Sequence, residues 1–153
     1  MFHLNKKSDR KITQRGQYAK GGIGRWYWDF KDRVSMSYVK GTKILDAGCG
    51  EGVTLEKLVR QFPKADIHGV DIDQSNITIC QDHNLPAQSA SLYKLPFSDK
   101  CFDTCTFMEV IEHLKEPEKA IMELARVTKP DGNIVIVYPV DWAFGLGVCP
   151  SNN

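Results

Sequence analysis

The stretch Lys43-Ile-Leu-Asp-Ala-Gly-Cys-Gly-Glu-Gly52 sets a carboxylate, Asp46, two residues ahead of glycines at every second position, Gly48, Gly50 and Gly52. Glycine permits φ > 0 and lets backbone N–H groups approach a ligand that a Cβ would hold off. A carboxylate at the head of such a turn is placed to face a ligand's ammonium group. Farther along, Asp71 lies 21 residues past Gly50, near the ~20-residue separation at which nucleotide-binding αβ units carry a ribose-binding carboxylate. A carboxylate accepts hydrogen bonds from both ribose hydroxyls better than a neutral side chain does. A third group, Glu109-Val-Ile-Glu112-His113, gathers two carboxylates and an imidazole, the donor types of general acid–base chemistry or of a divalent-ion site.

The elements that must position these residues follow from the apolar pattern. Ile44 and Leu45 fit the end of a buried parallel strand, and beyond the glycines Leu55, Leu58 and Val59 share a helical face. Strand, glycine turn and helix in that order present the free N–H groups and positive dipole end of a helix N-terminus to an anion. The spacing departs from the dinucleotide pattern G-x-G-x-x-G, because Val53 stands where the third glycine would be; a dehydrogenase is therefore the weakest assignment. A second strand is expected to end at Asp71, with Asp73 capping a helix from about Ser75 to His83. A weak third strand falls in residues 87–90, and a fourth, nearly continuous in apolar character, in residues 101–108. Pro117 to Val127 reads as a helix with Ile121, Leu124 and Ala125 inward. Residues 129–132 turn the chain into a fifth strand, 133–138.

Ahead of all this, Trp26, Phe30, Val34 and Tyr38 recur at helical spacing, which predicts an amphipathic helix with those side chains against the core. Residues 1–20 are polar and basic and read as a flexible arm. Residues 1–40 carry a net charge of +7 and residues 41–153 a net of −6, summing to +1 for the whole chain. A basic arm admits nucleic acid or another polyanion as partner, although a solvated flank is the commoner use. The 42% apolar and 25% charged fractions are those of one soluble globular domain, and no run approaches a membrane span. Five cysteines without paired C-x-x-C spacing point to reduced thiols in a cytoplasmic protein.

The D-x-G-x-G-x-G arrangement from Asp46 to Gly52 resembles motif I of the class I S-adenosylmethionine (SAM)-dependent methyltransferases. Gly69-Val-Asp-Ile-Asp73 resembles the second motif of that class, Leu95-Pro-Phe97 with Phe102-Asp103 its "LPF…FD" segment, and Arg126-Val-Thr-Lys-Pro-Asp-Gly132 its "RVLKPGG" turn. The whole is similar to methyltransferases of type 11, including the ubiquinone-pathway O-methyltransferases. This resemblance implies an α/β fold: a Rossmann-like doubly wound parallel sheet with strands 1–5 of the class I order 3-2-1-4-5-7-6, preceded by an N-terminal helix that often covers the cofactor. It implies a cofactor-binding set of Asp46, Ala47, Gly48, Cys49, Gly50, Asp71, Ile72, Ser91, Leu92 and Met108, with S-adenosylmethionine as methyl donor and S-adenosylhomocysteine as product. Ser91 stands where relatives commonly carry an acid toward the adenine amino group.

Glu109 and His113 are four residues apart, so on a helix they would share a face and are the candidate catalytic pair. Three readings of Glu109, Glu112 and His113 stay open: a solvated helix start, a base near the acceptor, or a divalent-ion site as the resemblance to the ubiquinone-pathway enzymes suggests; no metal ligand is assigned. The resulting organisation is a basic arm (1–20), an N-terminal helix (21–40), a SAM-binding domain (41–139) and an irregular tail (140–153) too short for strands six and seven, so that the chain reads as truncated. Methyl transfer to a small-molecule O, N or C acceptor is the leading function. An RNA or polyanion acceptor and a non-catalytic SAM-binding module are the alternatives, and an open strand-five edge would favour a homodimer.

Overall fold

The computed structural model describes residues 15–16 and 23–138. The remainder of the basic arm, Gly21 and Gly22, Pro139 and the tail 140–153 lie outside the described residues. Five parallel strands, β1 (Lys43–Ala47), β2 (Asp66–Asp71), β3 (Ala87–Ser89), β4 (Phe102–Met108) and β5 (Thr128–Val137), form one sheet in the order β3-β2-β1-β4-β5. Helices α1 (Ile23–Met36), α2 (Val53–Gln61), α3 (Gln74–Asp82) and α4 (Pro117–Val127) complete the unit. Both faces of β1 are covered. Leu45 and Ala47 pack with Leu124 and Val127 of α4, while Ile44 packs with Leu55, Leu58 and Ile77 of α2 and α3. This two-sided burial is why β1 reads as an uninterrupted apolar run. Register is direct: Asp46 lies beside Gly69 of β2 and Thr106 of β4.

Local chemistry sets the boundaries. Asp73 caps α3 by accepting a hydrogen bond from the Ser75 N–H at 2.8 Å. Pro117 opens α4, where its missing N–H costs nothing. The residue-129–132 turn proves to be internal to β5: Phe102 pairs with Thr128 but Thr104 with Asn133, so a bulge takes up the surplus residues. On α4 the inward face is Ala120, Leu124 and Val127, with Ile121 half-buried; Ala125, expected inward, is exposed. The 120–124–127 spacing defines one stripe, and position 125 lies a helical step to its side.

The larger correction concerns α1. Trp26 is 70% exposed, and Phe30, Val34 and Tyr38 also face solvent. The buried face is Lys31, Asp32, Ser35 and Met36, continued by Val39. Lys31 is ion-paired with Glu109 and Asp32 with Lys57. Burial of those charges rests on partners contributed from distant segments, which local periodicity does not register. Among the described residues no helix is long and apolar enough to cross a membrane, and β3 and β5 are the sheet edges.

Candidate active site

The strand order reverses between β1 and β4, and in open α/β sheets the crevice beyond the strand ends at such a point is where ligands sit. A cavity of about 400 Å³ occupies that rim. Gly48 and Gly50 reach it from just past β1, Asp71 and Ile72 from the end of β2, Ser91 and Leu92 from the segment after β3, Met108 from the end of β4, and Glu109 and His113 from beyond it. Seven of the ten expected cofactor residues and both expected catalytic residues therefore line one space. Asp46, Ala47 and Cys49 do not line it; they are buried beside it. Tyr93, Val110 and Leu114 line it without having been singled out from the sequence. Tyr93 and Val110 immediately follow two residues that were, which was the available signal.

The glycine loop is shaped by its neighbours as much as by its composition. Gly48 has φ +75°, and a Cβ there would lie 2.6 Å from Val110 Cγ2. The Gly48 and Cys49 N–H groups both donate to Val70 O, at 2.8 and 2.9 Å. Asp71 has a structural task beside any ligand. Its Oδ2 accepts from Gly50 N–H at 2.9 Å, and its Oδ1 accepts from Asp73 N–H at 2.8 Å and Asn76 Nδ2 at 3.2 Å. Since an ionised carboxylate offers about four lone-pair sites, capacity remains toward the cavity.

Asp46 is the electrostatic oddity. It is 1% exposed; its Oδ1 accepts from Thr106 Oγ1 at 2.7 Å, and its Oδ2 has no hydrogen-bond partner among the described residues. Burial pushes its carboxyl up from 3.8 to about 7; Asp71 adds to the rise and the Thr106 hydroxyl opposes it. An orphaned, buried carboxylate oxygen beside the glycine loop suits a cationic ligand group. Burial raises the Cys49 thiol as well, so that cysteine is an inert packing group.

Beyond β4 the chain does not form the expected helix. Glu109 has φ +55°, and residues Ile111–His113 make a single 3-10 turn. Glu109 and His113 thus reach the cavity from separate backbone conformations and not from one helical face. The Glu109 N–H donates to Val137 O at 2.6 Å, and its Oε1 lies 2.5 Å from Lys31 Nζ. The His113 side chain is 76% exposed, with Glu112 Oε1 4.0 Å from its Nε2. No three metal-ligating side chains converge among the described residues. Glu109, Glu112 and His113 are not brought together as a divalent-ion site.

With this geometry in view, the comparisons with known proteins are specific. The family model described as "Methyltransferase domain" matches residues 45–136, which contain the sheet and the cavity. The chain belongs to that family. A SAM-dependent methyltransferase of Archaeoglobus fulgidus shares the fold, with a TM-score of 0.58 at 23% identity, covering 69% of this chain and 48% of that one. An uncharacterized methyltransferase of Schizosaccharomyces pombe is 34% identical over 134 residues, covering 72% of this chain and 48% of the relative. A ubiquinone biosynthesis O-methyltransferase of Aliivibrio fischeri is 31% identical over 101 residues, covering 61% of this chain and 42% of the relative. The solved PH0226 protein of Pyrococcus horikoshii superimposes with a TM-score of 0.66 at 27% identity, covering 76% of this chain and 58% of that one. The chain thus spans about half the length of the curated relatives it matches.

Proposed function

We propose that this methyltransferase domain transfers a methyl group from S-adenosylmethionine to a small-molecule acceptor at an oxygen, nitrogen or carbon atom. The observation that carries this reading is the unpartnered Asp46 oxygen beside a glycine loop that leaves no room for a Cβ at Gly48. The residues fit the donor. Asp46, buried beside the cavity, would attract its ammonium group electrostatically, the Gly48–Gly50 backbone would hold its amino-acid moiety, and Asp71 its ribose. Ile72 (73% exposed, lining the cavity) and Leu92 would flank the base, with Ser91 and the Leu92 N–H at its edge.

When bound, S-adenosylmethionine supplies a methyl carbon on a sulfonium, a leaving group that is already activated. The protein's task is then alignment: the acceptor must lie in line with that carbon, and excluding loose poses provides most of the rate. Tyr93 and Leu114 also line the cavity and would wall its acceptor end, with Met108 between them and the cofactor. His113 is the group free to take a proton from a hydroxyl acceptor or a protonated amine. Glu109, already engaged by Lys31, orients the acceptor. Self-association through the edge of β5, unpaired on its outer side among the described residues, belongs to the same reading and is checked by light scattering.

Calorimetric titration with S-adenosylhomocysteine tests the core of the proposal. Wild type is expected to bind and Asp71→Asn to bind at least tenfold more weakly; absence of heat with wild type refutes it. In a radiolabelled transfer assay with a hydroxyl acceptor, His113→Gln should lose roughly 10²-fold or more in kcat with unchanged S-adenosylhomocysteine affinity.

A further inference from the structure

Lys31 belongs to α1, yet its ammonium meets the candidate site 78 residues away. It is only 9% exposed, lies 2.5 Å from Glu109 Oε1, and sits 3.8 Å from the centroid of the Trp28 ring. Its own carbonyl accepts from Ser35 Oγ at 2.7 Å. Glu109 is a non-glycine residue in the left-handed region, a conformation that persists only where the surroundings over-determine it. Two ties do so: the main-chain bond to Val137 of β5 and the side-chain bond to Lys31 of α1. The next residue, Val110, is the one pressed against Gly48. The short segment 108–110 therefore touches the glycine loop on one side and α1 on the other.

We infer that Lys31 is a positioning residue for the cavity: by clamping Glu109 from α1 it fixes the wall that ligands meet and couples the seating of α1 to the state of the site. A buried ammonium is tolerated through its carboxylate and ring partners, so neither Lys31 nor Glu109 can hold its place after the other is removed. Loss of the clamp frees Glu109 to leave its strained backbone conformation and takes Val110 off Gly48. The cavity wall and the floor loop then loosen together. Asp32, the adjacent buried charge of α1, pairs with Lys57 of α2 and faces a different groove, which makes it the natural control.

The coupling to ligand rests on the reading of the cavity as the S-adenosylmethionine site; the clamp itself does not. Hydrogen exchange of α1 in the ligand-free chain and the dissociation rate of S-adenosylhomocysteine are measured for wild type, Lys31→Met, Glu109→Gln, the double variant, Lys31→Arg and Asp32→Asn. Lys31→Met and Glu109→Gln should each speed α1 exchange and ligand release about tenfold. The double variant should resemble either single one, not their product. Lys31→Arg keeps the charge, guards against a folding defect and should restore most of both. Asp32→Asn, which faces a different groove, should speed α1 exchange with a much smaller effect on ligand release than Lys31→Met. Multiplicative effects, or unchanged release in Lys31→Met, overturn the inference. If wild type binds no S-adenosylhomocysteine the functional proposal falls, and exchange in the single and double variants still decides whether the clamp exists.

Discussion

Replacing Asp46 by asparagine should make the protein less sensitive to pH and, under alkaline conditions, more stable. The unfolded carboxyl titrates near 3.8 and the folded one near 7. Between those values the unfolded chain is ionised while the folded chain keeps its proton, so the folded state binds more protons and stability falls as pH rises. At about pH 8 the burial of Asp46 costs roughly 4 kcal/mol, and at about pH 5 roughly 1.5 kcal/mol. The asparagine side chain in Asp46→Asn would keep an oxygen for the Thr106 hydroxyl but leave its amide NH₂ without a partner, a penalty of about 1–3 kcal/mol. That penalty is independent of pH and cancels when the two conditions are subtracted. The stability difference between variant and wild type should therefore shift by roughly 2.5 kcal/mol in favour of Asp46→Asn between about pH 5 and pH 8. Urea unfolding followed by far-ultraviolet circular dichroism at both pH values reads it directly. Parallel behaviour of the two proteins would refute the reasoning. The same variant should lose S-adenosylhomocysteine binding, because a neutral amide does not hold an ammonium group. In wild type, affinity should fall about tenfold for each pH unit below about 7, as the ionised form becomes scarce.

Gly48→Ala should cost about 1–3 kcal/mol in urea unfolding and weaken ligand binding, since the new methyl meets Val110 in a left-handed conformation; adding Val110→Ala should recover the steric part only. Asp103 is held down to about 2 by Lys129 and by the Thr42 and Lys43 N–H groups. Its stabilisation is complete above the unfolded value of 3.8 and is lost as pH falls toward 2. Asp103→Ala should cost about 1–2 kcal/mol at neutral pH and less in acid, measured by urea unfolding. On α1, Met36→Ala should cost about 2–5 kcal/mol and Trp26→Ala under about 1 kcal/mol; equal losses in thermal unfolding would contradict the orientation of the helix.

The parts of this fold that were legible in the sequence are those where one local signal has one outcome. The β1–glycine–α2 corner, the end of β2 at Asp71, the Asp73 cap and the Pro117 start depend on residues within a few positions of each other. The orientation of α1 was not legible. Trp26, Phe30, Val34 and Tyr38 share the 3.6-residue period of a core stripe, while the face that is buried owes its place to Glu109 and Lys57, far away in the chain. The backbone at Glu109 was not legible for a related reason: spacing by four implies a common face only if the backbone is helical, and its left-handed turn is held by Val137 and Lys31. The cavity residues at strand ends were readable because parallel topology delivers every strand end to the same rim; Leu114 was not, because nothing local marks where the 3-10 turn points it.

The all-parallel sheet also separates two kinds of damage. The Asp103–Lys129 pair, with the Thr42 and Lys43 amides bonded to Asp103, lies at the entry ends of β1 and β4, whereas the ligand-facing atoms lie at their exits. A lesion at the entry ends changes how many molecules are folded and leaves each folded molecule's intrinsic affinity intact, so saturating ligand should compensate for it by mass action. A lesion at the exits damages every copy, and no excess of ligand restores what it removes.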